Sequence, residues 1–333
     1  MRRALVVLPL LVLLTACGSA PVSTAPLIPS HAAIWFHPKP NDPSDPLNGS
    51  SDFLSLFQTN ATWPKALAHT QVIGLYAGWV ASIDDATLQQ IVSFLNAHNL
   101  TIELESPSLQ ALSTCGSGVE GYVPYGLSIQ TFTASYLGRL TALGAQVAYV
   151  KIDEPFYFGA IVNDPRSCHF TLTQIATEVT QFTQMVHVAY PDAQVGDIEP
   201  IIDGAYPGGV VNAMNQWHQV YQAVAQTPFP FFFADIDWSN PAWPSLVKSL
   251  ELQSHQSNIA FGILYIGDMT DTSDQQWTSK AAARFQLYQG STGGQPDYVL
   301  FQSWEPYPHL CLPETNPTTF TGLLDTYIKA TTP

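Results

Sequence analysis

Charge is what this chain has least of, and what there is leans one way. Charged residues make up 11% of 333, with 11 Lys and Arg against 26 Asp and Glu. A formal charge of −15 repels nucleic acids and polyphosphates, so neither is expected as a partner. Cysteine is scarce as well: Cys17, Cys115, Cys168 and Cys311 are the whole set, and no Cys or His pair has the CxxC or HxH spacing of a metal site. No GxGxxG follows an apolar run, which argues against a dinucleotide fold, and no GxSxG elbow marks a serine hydrolase. What remains is a chain rich in aromatics (12%) and poor in charge, a composition suited to neutral ligands such as sugars.

The first residues are a processing signal by pattern. Arg2 and Arg3 precede an apolar stretch over 4–14 that is too short for an ordinary membrane span. Leu14-Thr15-Ala16-Cys17 then resembles the lipobox of bacterial lipoproteins. That resemblance implies a signal peptide over 1–16, lipidation of Cys17, and an exported, membrane-anchored protein at the cell surface or in the periplasm. Residues 17–30, rich in Ser, Pro and Ala, read as a flexible tether, leaving 31–333 as one catalytic domain. Export permits disulfides.

The rest of the chain alternates between short apolar runs and longer amphipathic segments. The runs fall at 31–38, 71–80, 100–107, 145–155, 193–200, 229–238, 259–267 and 296–306. Helix-like stretches such as 84–99, 128–144, 171–191 and 273–290 separate them, and 320–332 follows the last. Eight strand–helix units in about 300 residues is the count of an α/β fold of the single (β/α)8 TIM-barrel type. On this count Cys115 and Cys168 lie in consecutive loops at one end of the barrel and are the expected disulfide, with Cys311 left over.

In such a barrel the C-terminal strand ends build the active site. The eight runs end, in order, with Trp35 and His37; Tyr76 and Trp79; Glu103 and Glu105; Lys151, Asp153 and Glu154; Asp197 and Glu199; Asp235, Asp237 and Trp238; Tyr265 and Asp268; Trp304 and Glu305. Strand residues alternate between the two faces of the wall. Assigning Ala148, Val150 and Ile152 to the helix-facing layer turns Tyr149, Lys151 and Asp153 inward. The same reasoning turns Glu103, Glu105, Asp197, Glu199, Asp235 and Asp237 inward. Buried carboxylates cost several kcal/mol each unless paired or solvated, so a purely structural core would not collect them.

Glycoside hydrolysis needs a protonated carboxyl for the leaving oxygen and a second carboxyl as nucleophile or base. Aromatics stack on sugar rings, and Trp35, Tyr76, Trp79, Trp238, Trp243, Trp304 and Tyr307 are the candidates for a groove. His37, Glu105, Lys151, Asp197, Asp237 and Tyr265 are further candidate contacts to sugar hydroxyls.

YVKIDEP (149–155) resembles the strand-4 ending of the retaining (β/α)8 glycosidases, which reads Asn-Glu-Pro. The resemblance implies Glu154 as acid/base and Asp153 in place of the Asn. That group carries its nucleophile Glu on strand 7, where IAFGILYIGD has none; Glu305, then Glu199, are the substitutes. The adjacent Asp153-Glu154 is also similar to family 20 hexosaminidases, with Tyr265, Trp304 and Glu305 in corresponding places. Lys151-x-Asp153 resembles α-galactosidase-like barrels, implying Asp153 as nucleophile and an acid at Asp235 or Asp237. All three put chemistry at 153/154 and differ in the second carboxylate.

Two rivals stand beside the hydrolase. Metal-dependent barrels of the amidohydrolase type resemble HxH on the first strand, where this chain has WFHP, so no metal and no cofactor is expected, although Asp197, Glu199, Asp235 and Asp237 are donors that would suit calcium. A non-catalytic, surface-tethered carbohydrate-binding barrel is the other, favoured by the missing strand-7 Glu. A monomer is expected in either case.

Overall fold

The computed structural model describes Ile28, residues 30–41 and residues 49–332. The expected signal peptide and Cys17 lie outside the described residues, as does the expected tether apart from Ile28 and Ser30. Eight parallel strands, β1 (Ala33–His37), β2 (Thr70–Tyr76), β3 (Thr101–Ser106), β4 (Val147–Asp153), β5 (Gln194–Ile201), β6 (Phe231–Ile236), β7 (Ala260–Leu264) and β8 (Tyr298–Gln302), pair in chain order. β8 pairs with β1 and closes the barrel, as the alternation predicts.

Around it run α1 (Pro64–His69), α2 (Ala77–Ser82), α3 (Asp85–Ala97), α4 (Ile129–Ala142), α5 (Leu172–Ala189), α6 (Val210–Ala225), α7 (Trp243–Gln256), α8 (Asp274–Phe285) and α9 (Phe320–Thr331). Their starts are legible in the sequence. Asp84 accepts from the Thr87 amide ahead of α3, and Thr171 with Gln174 forms a reciprocal capping box ahead of α5; loss of such a cap costs about 1 kcal/mol. From α5, Ile175, Ala176, Val179, Phe182 and Val186 face the sheet at helical spacing and are buried. The run expected over 71–80 stops as a strand at Tyr76 and turns into α2, so Trp79 sits on a helix, edge-on to Phe53 at 5.3 Å. Among the described residues no helix is long and apolar enough to cross a membrane.

The barrel interior is filled by rings. Trp35 contacts Tyr149, Phe233, Tyr298 and Phe231 at centroid distances of 4.5, 4.9, 5.0 and 5.5 Å. This aromatic floor needs room in the wall, and Gly196 on β5 gives it: a Cβ there would come within 2.4 Å of the Phe231 ring. Trp35, expected as a sugar contact, is thus part of the floor and only 1% exposed.

Gly196 also fixes the phase of β5, and here the structure corrects the sequence reading. Gly196 pairs with inward Lys151 and Asp197 pairs with outward Ile152. Asp197 and Glu199 therefore point to the helix layer, not into the barrel. Tyr265 likewise faces outward, packed against Phe285, Phe301 and Tyr327, with its hydroxyl donating to Gln289 Oε1 at 3.1 Å.

Cys115 and Cys168 form the disulfide, with Cα atoms 5.0 Å apart, and Cys311 is free and buried. Ile28 donates its amide to Ala330 O at 2.8 Å, and the Ser30 hydroxyl lies 2.9 Å from that of Tyr327, so the chain is docked on α9 before β1 begins.

Candidate active site at the carboxyl end of the barrel

At the C-terminal rim, β3, β4 and β8 bring together an ion-pair network. Lys151 Nζ lies 2.6 Å from Glu105 Oε2 and donates to Gln302 Oε1 at 2.5 Å. Gln302 Nε2 donates to the same Glu105 oxygen at 2.6 Å, and its link to the Tyr76 hydroxyl spans 3.3 Å. Burial works against the charge of Glu105, but Lys151, His37 and Gln302 outweigh it and hold the carboxyl below its ordinary range. Lys151 is wholly buried, and although burial opposes its charge too, the surrounding carboxylates keep the ammonium protonated. Gln302 escaped the sequence reading because an uncharged amide in VLFQSW carries no signal of its own.

Asp153 and Glu154 are half-buried at the end of β4. Alternation alone would send adjacent residues to opposite faces. Glu154 instead adopts a left-handed backbone, φ 46°, which for a non-glycine residue costs on the order of 1 kcal/mol. The turn keeps both carboxyls at the mouth: Asp153 feels Glu105 and Glu120, while Glu154 reaches Asp235 of β6. Burial first, then these neighbouring carboxylates, raise both groups well above the ordinary carboxylate range. Glu120, from the loop after β3, was not singled out in the sequence, since that loop carries no strand-end signal.

Glu199 has a different task. Its two oxygens accept from the amides of Phe156 and Tyr157, at 2.6 and 2.9 Å, capping the short helical segment that follows Glu154. Asp197 Oδ2 accepts from Trp217 Nε1 at 2.8 Å and lies 3.6 Å from His218 Nε2, both on α6. Neither carboxylate opens to the mouth, and the calcium-like set of Asp197, Glu199, Asp235 and Asp237 is not brought together.

Between the ends of β5 to β8 lies an open cleft of about 330 Å³, lined among others by Asp235, Asp237, Trp238, Asp268, Trp304 and Glu305. A larger hollow near Phe57 and Gln90 has no titratable side chain in its lining. Asp235 is pushed up to about 7, mainly by burial and by Glu305, against the pull of Lys151 and its contact with Glu154. Glu305 is also pushed up to about 7 by burial, while the Trp277 indole N–H donates to its Oε2. Arg284 sits behind it, 3.8 Å from Asp268 and stacked 4.2 Å from the Trp238 ring. Trp277 and Arg284 lie on α8 and reach the rim from outside the barrel, which no strand-end pattern reveals. Asp237 accepts from the amide and hydroxyl of Ser239 and lines the cleft.

Thus the cleft holds two carboxyls that titrate near neutrality, with aromatic walls. Solved structures of similar fold include sugar-cleaving barrels. A GH53 catalytic domain from Ignisphaera aggregans matches with a TM-score of 0.51 and 12% identity, over 88% of this chain and 99% of that one. A psychrophilic glycoside hydrolase family 10 endo-β-1,4-xylanase gives 0.50 and 14%, over 89% and 96%. A fungal β-1,4-galactanase gives 0.50 and 10%, over 77% and 81%. The likeness is one of fold. No family model and no curated protein matches the sequence.

Proposed function

We propose that the protein is a glycoside hydrolase whose proton is delivered by the Glu154–Asp235 pair and whose ionised carboxylate is Glu305. The observation that carries this reading is that Asp235 and Glu305 line one open cleft, each pushed up to about 7. Two interacting carboxyls poised there hold one proton between them near neutral pH, which is the state that acid-assisted cleavage requires. Their surroundings divide the roles. Trp277 N–H and nearby Arg284 favour the anion at Glu305. Glu154 lies against Asp235 and, with its own raised affinity for a proton, keeps that side of the cleft acidic.

In this mechanism the glycosidic oxygen takes a proton from the Asp235 side as the bond to the anomeric carbon breaks. Glu305 meets the developing positive charge, as nucleophile or as base for water. Trp238 and Trp304 offer ring faces to the sugar, and Asp237 and Asp268 offer acceptors to its hydroxyls. Lys151, held by Glu105 and Gln302, supplies the fixed positive charge that lets several carboxyls share the rim. The polysaccharide-cleaving barrels of similar fold support a carbohydrate substrate.

Export and lipid anchoring at Cys17 belong to the same proposal; they rest on the Leu14–Cys17 pattern, and the Cys115–Cys168 disulfide fits an oxidising compartment. We further propose a monomer with residues 31–333 as the catalytic domain.

The test is a screen of the protein on aryl and natural β- and α-glycosides beside Glu154→Gln, Asp235→Asn and Glu305→Gln. Activity that survives all three substitutions sinks the assignment. Binding of oligosaccharides without turnover of any of them identifies a binding barrel instead. For an active enzyme, NMR of the first-formed anomer separates retention from inversion.

A further inference from the structure

On the β1–β3 side of the interior, across from the cleft, lies a second polar cluster, of whose members the hydrolase reading uses Glu105 but neither His37 nor Glu103. His37 Nδ1 stands 3.0 Å from Glu103 Oε2, and both side chains are wholly buried. The approach lacks the alignment of a hydrogen bond: neither nitrogen of His37 and neither oxygen of Glu103 has a hydrogen-bond partner. Glu105, two residues on and on the same face of β3, adds a third donor, and one ligand atom from each of the three lies within 4.8 Å of the others. The seat is built for the imidazole. A Cβ on Gly74 would come within 2.2 Å of His37 Cγ, and Tyr76 covers the ring at 4.2 Å.

We propose that His37, Glu103 and Glu105 bind one divalent transition cation of the Zn2+ or Mn2+ class. One imidazole and two carboxylates suit such an ion better than calcium, which takes oxygen alone. Lys151 bonds Glu105 rather than Glu103, and the His37 ring that faces the buried Glu103 carboxylate leaves both its oxygens without a hydrogen bond. A proton shared with His37 would serve one nitrogen and one oxygen only, whereas a metal ion can take both oxygens of Glu103 together with the ring. Ligand atoms about 2.0–2.2 Å from an ion stand roughly 3.3–4.4 Å from one another, so side-chain shifts of under about 1 Å close the set. Glu105, with its side chain 14% exposed, gives the ion a path from the mouth. The sequence led to an expectation of no metal because the ligands come from two separate strands and leave no HxH spacing.

Calorimetric titration of the tag-free, chelator-stripped full chain with Zn2+ or Mn2+ alone should give one equivalent per chain. Glu103→Gln should weaken that binding at least 100-fold, and the metal should raise Tm by several degrees reversibly with EDTA. Less than a tenth of an equivalent bound at saturation, or an unchanged affinity in folded Glu103→Gln, overturns the site. Should Glu103→Gln fail to fold, anomalous scattering from Zn2+-soaked wild-type crystals decides: a peak between His37 and Glu103 supports the site, and a peak only elsewhere or none refutes it. Each of these outcomes is independent of whether the cleft hydrolyses sugars.

Discussion

β4 and β5 close on nearly the same text, Ile152-Asp153-Glu154-Pro155 and Asp197-Ile198-Glu199-Pro200, and put it to opposite uses. In β4 the acids face the mouth, and burial raises their affinity for protons as it does that of the β5 pair. In β5 they face the helices, where an indole N–H and two backbone amides receive them. The difference lies in strand phase for the two Asp residues and in a backbone turn for the two Glu residues. It is set by Gly196, whose missing side chain makes room for Phe231, and by the left-handed turn at Glu154. Acidic residues at a strand end are thus no guide to an active site until the phase of the strand is known.

That contrast is strongest in catalysis. Glu305→Gln and Asp235→Asn are each expected to lower kcat/KM by about 10²–10⁴ on any glycoside the wild type cleaves. Asp197→Asn, which keeps an acceptor for Trp217, should leave kcat/KM within a few fold; a loss as deep as that of Asp235→Asn would erase the distinction between the two strands.

Next in size is the response of stability to pH. The folded-state values of Asp235 and Glu305, about 7, exceed their ordinary 3.8 and 4.5, so at these two sites the folded protein binds more protons than the unfolded chain between about pH 4 and 7. Stability contributed by these groups is present below that window and declines as pH rises through it, by several kcal/mol and at most about 8 in all. Urea melts at pH 5 and pH 8 should show the decline, and Asp235→Asn should flatten it. A protein more stable at pH 8 than at pH 5 would contradict the reading of the cleft.

Glu199→Ala should destabilise by roughly 2–3 kcal/mol, since it strands two amides that the carboxylate now satisfies. The same melts compared with Glu199→Gln, which restores an acceptor, would show whether the bonds or the volume matter. Gly196→Ala is expected to cost about 1–3 kcal/mol through the clash with Phe231, and a neutral result would mean the floor repacks freely.

The barrel and its disulfide could be read from the sequence because both rest on spacing along the chain: eight apolar runs at regular intervals, and two cysteines in successive loops. The acidic rim on β3, β4, β6 and β8 was legible for the same reason. Phase in β5 was not, because Val195, Ile198 and Ile201 suit either side of a strand buried on both faces, and the deciding contact, Gly196 against Phe231, joins two different strands. Tyr265 misled in the same way, since a tyrosine is as much at home under helices as over a sugar. Trp277 and Arg284 reach the cleft from α8 and Gln302 joins it as a neutral amide, so their parts depend on packing that no local pattern encodes.

The docking of Ile28 and Ser30 against the end of α9 has a directional consequence. It ties the chain down on the side where the strands begin, the pole opposite the cleft. Were Cys17 lipidated as proposed, the anchor would join the domain at the pole opposite its opening.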